Sequence, residues 1–461
     1  MSLIKSISGI RGTIGGQQGT GLTPSDLVRF SAAYATYLLE LNPGQKLNVV
    51  VGRDARISGI MVNNLVTGTL MGMGVNVVDI GLTTTPTAEI AVVEEHAHGG
   101  IILTASHNPA QWNALKLLND RGEFLSAKDG ERVIALYDKS AFIFAGAGEL
   151  GNYKTDASYI QKHIDKVVAL PLVDTEAIKK AHFHVAIDAV NSTGGIAIPA
   201  LLQALNVHVI DQLYCQPTGI FPHNPEPLPE HLGDICALVL KNRANVGFVV
   251  DPDVDRLAII NENGEPFGEE YTLVSVADYV LQHQKGNTVS NLSSTQALKI
   301  VTERAGGEYF ASAVGEVNVV EMMKEKGAVI GGEGNGGIIY PELHYGRDAL
   351  VGIALFLTSL AKSGKKCSAL RAQFPDFYIS KNKISFSPEM DIDKILQAIV
   401  QKYESFPIST VDGIKIQFND EWVHLRRSNT EPIVRIYAES DLMSKADNLA
   451  RKIINDFKDI Q

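Results

Sequence analysis

A short β-branched run that enters a small or polar loop and then a helix-like stretch recurs three times along the chain. The three segments are residues 47–54, 183–195 and 287–295. Units of strand, loop and helix build mostly parallel sheets with helices on both faces. We therefore predict an α/β fold. The three segments are too loosely similar to establish an internal repeat.

The length and composition of the chain predict a multidomain globular protein. Its 461 residues are 45% hydrophobic, enough for roughly three or four domains. The formal net charge is −11 and the basic residues are scattered, which argues against nucleic acid as a partner. No apolar run has the length of a signal peptide or a membrane span. We expect a soluble cytoplasmic protein with no membrane partner.

The cysteines predict neither a disulfide framework nor a thiolate metal site. They are odd in number and show no CxxC spacing, so free buried thiols are expected. The residues are Cys215, Cys236 and Cys367.

Helices are predicted at residues 24–41, opened by Thr23 as N-cap and Pro24 as first helical residue, and at residues 59–73. A hairpin is predicted around residues 119–122. After a glycine- and lysine-containing connection at 362–366, separated strands at 413–418 and 432–438 precede a closing helix at 443–457, which indicates an α+β domain. The predicted domains are 1–150, 151–255, 256–368 and 369–461.

One apolar segment runs straight into a loop that holds Ser106, His107, Asn108 and Pro109. A hydroxyl at the mouth of a buried strand could be a nucleophile or a phosphate carrier, and His107 could hydrogen-bond the oxygen that it holds. On this segment alone, an ordinary strand-to-loop turn is an equal alternative.

Three carboxylates at alternate positions follow the apolar segment 245–250: Asp251, Asp253 and Asp255, with Arg256 next. Like charges this close require a cation, and ligation by oxygen alone is typical of Mg²⁺. Simple Asp-Pro-Asp turn chemistry is the alternative without function. The same residues also resemble the Asp-x-Asp motif of haloacid-dehalogenase-type phosphatases, in which Asp251 would be the nucleophile.

A glycine-rich segment at 331–337 contains one carboxylate, Glu333, and one amide, Asn335. Glycines permit close backbone approach and the carboxylate can accept hydroxyl hydrogen bonds, which favours a sugar over a flexible turn. The segment lacks the GxGxxG arrangement of dinucleotide sites.

A loop near the C-terminus gathers guanidinium, hydroxyl and amide donors suited to a phosphate monoester rather than to a merely solvated turn. Its residues are Arg426, Ser428, Asn429 and Thr430, followed by Arg435. Arg11, between glycines, is a candidate active-site contact, and a surface charge is the alternative. The polar loop with His344, Gly346, Arg347 and Asp348 receives no role from the sequence.

Taken together and in this order, the motifs around Ser106, Asp251, Glu333 and Arg426 resemble the α-D-phosphohexomutase family over essentially the whole chain. The resemblance implies four domains around a central cleft, three of related α/β topology with mixed, mostly parallel sheets and a fourth of α+β type. Each domain would contribute one loop, and the fourth would move as a lid.

The resemblance also implies roles for individual residues. Ser106 would be a phosphoserine, one Mg²⁺ per chain would bind Asp251, Asp253, Asp255 and a serine-phosphate oxygen, and Arg256 would face the reacting phosphate. Sugar hydroxyls would bind Glu333 and Asn335, and the phosphate that is not transferred would bind Arg426, Ser428, Asn429, Thr430 and Arg435. Catalysis would further involve Arg11, Lys116 as a proton-transfer residue and His107 as a neighbour that steadies the phosphoserine.

The implied activity is interconversion of hexose 6-phosphate and hexose 1-phosphate through a bisphosphorylated intermediate, which would also activate the enzyme. The sugar loop departs from the common Glu-x-Ser-Gly-His pattern, and Asn335 resembles the archaeal type of phosphoglucosamine mutase. Glu316 offers a carboxylate where phosphomannomutases usually have His, so glucosamine phosphate, towards UDP-N-acetylglucosamine, is the expected substrate. Alternatives are a phosphomannomutase or phosphoglucomutase, the Asp251 phosphatase, and a non-catalytic sugar-phosphate binding protein. A monomer or homodimer is expected.

Overall fold

A computed structural model of the chain describes residues 3–6, 9–387, 390–428 and 432–460. The chain divides into two compact units. Unit 1 comprises Met1–Thr272 and Asn335–Arg371, and unit 2 comprises Leu273–Gly334 and Ala372–Gln461.

The first sheet of unit 1 has seven strands in the order β1-β2-β6-β5-β3-β4-β7. Strand β3 is parallel to β4 and β5, whereas β6 is antiparallel to β5 and β2, so the sheet is mixed, as predicted. The strands are β1 (Ile4–Ser6), β2 (Gly9–Thr13), β3 (Asn48–Arg53), β4 (Asn76–Leu82), β5 (Gly99–Leu103), β6 (Trp112–Leu118) and β7 (Tyr153–Thr155). The accompanying helices are α1 (Pro24–Leu41), α2 (Gly59–Gly72), α3 (Thr85–Glu94) and α4 (Ala127–Lys139).

The predicted start of α1 is confirmed. The Thr23 side chain accepts a hydrogen bond from the Asp26 backbone N–H, and the Asp26 carboxylate accepts one from the Thr23 N–H, which makes a reciprocal capping box. Leu27, Phe30 and Tyr34 lie on the buried face of the helix. The predicted hairpin is present too, since the Asn119 N–H donates to the Glu123 carbonyl at 2.7 Å.

The second sheet of unit 1 has the order β11-β10-β8-β9. All five residues of β10 are buried, as expected of a strand covered on both faces. The strands are β8 (His184–Asp188), β9 (Val209–Leu213), β10 (Val246–Val250) and β11 (Leu257–Asn261). The helices are α5 (Tyr159–Val168), α6 (Thr175–Ala181), α7 (Gly194–Ala204), a 3-10 turn (Pro229–His231) and α8 (Gly233–Asn242).

Helix α9 (Glu269–His283) contains the point of division between the units. In unit 2, β12 is parallel to both β13 and β14. The elements here are β12 (Asn287–Asn291), α10 (Ala297–Arg304), β13 (Tyr309–Ser312), α11 (Glu316–Lys326) and β14 (Ala328–Glu333). The chain then returns to unit 1 as β15 (Gly337–Ile339), α12 (Ala349–Ser363) and α13 (Cys367–Arg371).

The rest of unit 2 is an antiparallel sheet of order β16-β20-β19-β18-β17, packed against helices, so the predicted α+β character of the C-terminal region is confirmed. Its elements are β16 (Tyr378–Ser385), α14 (Ile392–Lys402), β17 (Ile408–Ser409), β18 (Ile414–Gln417), β19 (Trp422–Arg427), β20 (Ile433–Ser440) and α15 (Met443–Asp459).

The exact domain boundaries stay predictions. Strand β7 pairs with β4, and β11 pairs with β10, so boundaries at residues 150 and 255 would separate each strand from its own sheet. We therefore propose that the first domain includes β7 and that the second domain includes β11. Among the described helices, none combines the length and hydropathy required to cross a bilayer.

Candidate active site

Ser106 lies just beyond the buried strand β5 in a strained backbone conformation. Its φ is 47°, in the left-handed region that residues with a side chain seldom occupy. The Ser106 N–H donates to Thr104 Oγ1 at 2.9 Å, which stabilises the sharp turn. The hydroxyl then donates to Asp251 Oδ2 at 2.8 Å. The turn thus delivers the hydroxyl to the predicted metal loop.

Arg56, which was not predicted as a site residue, holds the Ser106 loop in place. The side chain is fully buried, and its Nε donates to Asp54 Oδ2 at 2.9 Å, while Thr104 Oγ1 donates to the same carboxylate oxygen at 2.8 Å. The two terminal nitrogens of Arg56 donate to the carbonyls of Ser106, Asn108, Pro109 and Trp112. The position of Arg56 in the sequence could have indicated its role. Asp54 and Arg56 follow the carboxyl end of β3, and α/β sheets bind ligands at that edge.

The aspartate loop is anchored from several directions. Thr85 Oγ1 donates to Asp253 Oδ2 at 2.6 Å, and the Thr85 N–H donates to the Asp253 carbonyl. Val254 has a φ of 63°, which is rare for a β-branched residue and lets the carboxylates on either side converge. Asp251, Asp253 and Asp255 are completely buried, and one oxygen from each lies within 4.8 Å of the others.

Lys116 and Arg347 contact the aspartates at short distance, and Arg256 Nε lies 3.9 Å from Asp255 Oδ1. Lys116 Nζ lies 2.7 Å from Asp253 Oδ2 and 3.6 Å from Asp255 Oδ2, and an Arg347 terminal nitrogen lies 2.7 Å from Asp255 Oδ2. Burial opposes the charge on Lys116, but the two aspartates outweigh it and raise the lysine pKa. Lys116 is therefore held as an ammonium ion. The loop that the sequence left without a role thus contributes Arg347.

The aspartate set fits a hard divalent cation. Within the part of the chain that the structure describes, Asp253 Oδ1 and Asp255 Oδ1 are buried without a hydrogen-bond partner. Burial, followed by the charges of Asp255 and Asp253, raises the pKa of Asp251 well above its ordinary value. Because all three groups offer oxygen, a cation such as Mg²⁺ could bind them and relieve this repulsion.

A pocket in unit 1 brings four predicted residues together: Arg11, Ser106, His107 and Lys116 line it. Arg11 and Lys116 reach it from the paired strands β2 and β6.

His107 lies beside the serine, with Nδ1 at 3.4 Å from Ser106 Oγ. Burial, followed by the positive charge of Arg256, lowers the pKa of His107 well below its usual value. His107 is therefore neutral. Arg256 itself donates to Glu226 Oε1 at 3.0 Å.

Glu333 ends β14 in unit 2 and is 5% exposed. Its Oε1 accepts from Asn291 Nδ2 at 2.9 Å and from the Gly315 N–H at 3.2 Å, which fixes the carboxylate. Asn335, half-buried in unit 1, accepts from the Gly337 N–H through Oδ1. The predicted sugar loop thus contains the division between the units.

Three basic residues form a row across the C-terminal sheet of unit 2. Arg435 is directly opposite Arg426 on one neighbouring strand and opposite Lys383 on the other. Arg426 also donates to Asp412 Oδ2 at 3.2 Å. Residues opposite each other share one face of a sheet, so we call this set the basic row. Lys383 was not predicted as a site residue, because only the strand register shows that it lies opposite Arg435.

The loop that follows Arg426 is described only in part. Ser428 is buried, and its N–H donates to the Ile433 carbonyl at 2.9 Å. The predicted phosphate-binding residues Asn429 and Thr430 lie outside the described residues.

Comparison with known families gives four consecutive matches. Models of the phosphoglucomutase/phosphomannomutase alpha/beta/alpha domains I, II and III match residues 3–143, 161–264 and 268–378, and the C-terminal domain of the same family matches residues 382–455.

Individual proteins are similar over nearly the full length. A "Phosphoglucomutase/phosphomannomutase" of Thermococcus kodakarensis is 34% identical over 427 residues, 92% of each chain. A "Probable phosphoglucosamine mutase" of Pyrococcus horikoshii is 32% identical, covering 94% of this chain and 96% of that protein. A crystal structure of a phosphoglucomutase/phosphomannomutase family protein from Burkholderia thailandensis superposes with a TM-score of 0.86 at 24% identity, covering 99% of this chain and 97% of that one.

Proposed function

From the premise that the chain belongs to the phosphoglucomutase/phosphomannomutase family, we propose that it is a Mg²⁺-dependent phosphoglucosamine mutase that works through a phosphoserine at Ser106. The chain is a phosphohexomutase and hence an isomerase. The observation that carries the proposal is the 2.8 Å hydrogen bond from the Ser106 hydroxyl to Asp251, because a phosphate on that hydroxyl oxygen would lie beside three buried carboxylates.

Ser106 would enter each cycle phosphorylated. The bond between phosphorus and Ser106 Oγ breaks as a bond forms from phosphorus to a sugar hydroxyl oxygen, and the proton of that hydroxyl passes to the departing Ser106 Oγ. The resulting bisphosphorylated sugar reorients and returns the phosphoryl group of its other end to Ser106. Such transfers have a loose transition state, so the protein mainly positions the groups and neutralises charge.

Asp251, Asp253 and Asp255 would hold Mg²⁺, which supplies positive charge to the phosphoryl oxygens. The surrounding residues have separate tasks. Lys116 and Arg347 orient the carboxylates of Asp253 and Asp255, and Arg56 keeps the serine turn rigid. A rigid setting matters because a small misplacement of reacting atoms costs about 100-fold in rate.

The basic row would bind the phosphate that is not transferred. Like charges directly opposite on neighbouring strands destabilise a sheet, and a phosphate dianion between Arg426, Arg435 and Lys383 would offset that repulsion. Ser428, Asn429 and Thr430 would add neutral donors.

Glucosamine phosphate is the proposed sugar. Glu333 is fixed by Asn291 and the Gly315 N–H, so it would accept from sugar hydroxyls, together with Asn335. Glu316, buried at the start of α11, would favour a substrate amine by its charge. The Pyrococcus horikoshii relative, whose name is "Probable phosphoglucosamine mutase", supports the same choice.

A substrate panel tests the proposed sugar. The 6-phosphates of glucosamine, glucose and mannose are compared by kcat/KM, with Mg²⁺ and a bisphosphorylated hexose as activator. We expect glucosamine 6-phosphate to have the highest kcat/KM. In the Glu316→Gln variant, the ratio of this kcat/KM to that of glucose 6-phosphate should be smaller. Glutamate at the exposed position 325 serves as the matched control, since Glu325→Gln should leave the ranking unchanged. Glucosamine in last place would contradict the proposal.

A further inference from the structure

A second cluster of buried titratable side chains in unit 1 takes no part in the proposed transfer. It consists of His163 on α5, His344 in the loop before α12, and Asp348. The Nε2 atoms of the two histidines lie 2.9 and 3.3 Å from the same oxygen, Asp348 Oδ2. His163 and Asp348 are completely buried.

The Nδ1 atoms of both imidazoles lie beside residues of α3. His163 Nδ1 hydrogen-bonds with Thr87 Oγ1 at 2.9 Å, and His344 Nδ1 lies 3.2 Å from Glu89 Oε2. Because a carboxylate can only accept a hydrogen bond, the position of Glu89 favours a ring proton on Nδ1 of His344. In a neutral His344 ring, the Nε2 lone pair then faces the lone pairs of Asp348, an arrangement that requires a cation.

The carboxylate and the loop are held for this geometry. Asp348 Oδ1 caps α12 by accepting from the Leu350 and Val351 N–H groups, which leaves Oδ2 directed at the imidazoles. At position 346 a Cβ would overlap Glu89 Oε2, so glycine there gives the Glu89 carboxylate room to approach His344.

We infer that His163, His344 and Asp348 bind a borderline divalent transition ion such as Zn²⁺, at a site separate from the aspartate loop. Two imidazoles and one carboxylate favour Zn²⁺ over Mg²⁺. Ligating histidines regularly bind a second residue through the other ring nitrogen, as His163 does here through Thr87, and Glu89 lies beside the corresponding nitrogen of His344. Water would take the fourth position, reached past His344, whose side chain is 11% exposed.

Such an ion would be structural in its effect. It would join α3, α5 and the start of α12, and Arg347, the neighbour of Asp348, contacts Asp255 of the aspartate loop. The ion would thus stabilise the segment that delivers Arg347.

The test uses the full-length protein after chelation, with a large excess of Mg²⁺ to occupy the aspartate loop. Zn²⁺ and Co²⁺ binding is followed by metal analysis and by visible Co²⁺ absorption. We expect one tightly held equivalent, lost in both His163→Gln and His344→Gln. His184, which pairs with a single carboxylate, Asp211, is the matched control, and His184→Gln should keep the ion, as should Asp253→Asn.

X-ray absorption of the Zn²⁺-loaded unmutated protein removes any dependence on the folding of the variants. Two imidazole ligands are expected. The inference is overturned if no equivalent is retained in excess Mg²⁺, if the shell is oxygen alone, or if Asp253→Asn loses the ion while His344→Gln keeps it. In each of these cases, the positive charge between His344 and Asp348 would come from a proton on His344 and not from a metal ion.

Discussion

The two regions with candidate functional residues differ in how their side chains are held. In unit 1, Ser106 and the three aspartates are buried and fixed by a network in which Arg56 and Thr85 take part. In unit 2, the basic row is half-buried or exposed and lies on a regular sheet. This difference indicates that the residues that transfer the phosphoryl group need a fixed geometry. The cations that bind the other phosphate need only to lie on the same face of a sheet.

The largest effect is expected where the transferred group is carried. Ser106→Ala removes the oxygen that holds the phosphoryl group, so kcat should fall by at least about 1000-fold. Steady-state mutase assays measure this, with Ser387→Ala at an exposed serine as the control. A phosphatase that uses Asp251 would keep most of its rate in the Ser106→Ala variant.

The second prediction tests whether catalysis depends on the buried hydrogen-bond network around Arg56. Arg56→Lys keeps the charge but cannot donate to four carbonyls and Asp54 at once, so the serine turn should loosen. We expect kcat to fall about 100-fold with little change in KM. Arg132→Lys, at an exposed arginine paired with Glu40, is the control. If kcat is unchanged in a folded Arg56→Lys protein, the serine turn does not depend on this network.

The third effect concerns stability in unit 2. Burial lowers the pKa of His424 to about 4, so the folded protein keeps this ring neutral while the unfolded chain protonates it near pH 6.5. Stability should therefore fall as pH decreases from 6.5 towards 4. Between pH 7 and 5, the loss from this residue is about 2 kcal/mol.

Urea unfolding at pH 7 and pH 5, followed by the fluorescence of the buried Trp422, measures that loss. The His424→Gln variant should lose about 2 kcal/mol less than the unmutated protein over the same interval. An equal loss in both proteins would show that another group dominates the acid response of unit 2.

The smallest effect is expected in the basic row. Arg426→Gln removes one charge from a contact that is equal in the ground and transition states, so KM should rise about 10-fold while kcat stays nearly constant. Lys383→Gln should act in the same direction but more weakly, because Lys383 is exposed. A fall in kcat at constant KM would instead place Arg426 at the reacting phosphate.

Local patterns predicted the secondary structure and the residues that follow buried strands. Helix α1 begins and ends where its cap and periodicity indicated, and Ser106 and Asp251 do follow the buried strands β5 and β10. Arg56, Lys383 and the His163 cluster were missed because their roles depend on contacts between distant segments. Asp348 lies 185 residues from His163, and no local pattern records such a pair.

The central claim is that Ser106 carries the phosphoryl group, and mass spectrometry of the charged protein tests it most directly. The chain is incubated with Mg²⁺ and a bisphosphorylated hexose, and its intact mass and phosphopeptides are measured before and after glucosamine 6-phosphate is added. We predict one phosphate, located on Ser106 and discharged by the substrate. An acyl phosphate on Asp251, or a phosphate that the substrate does not remove, would contradict the account.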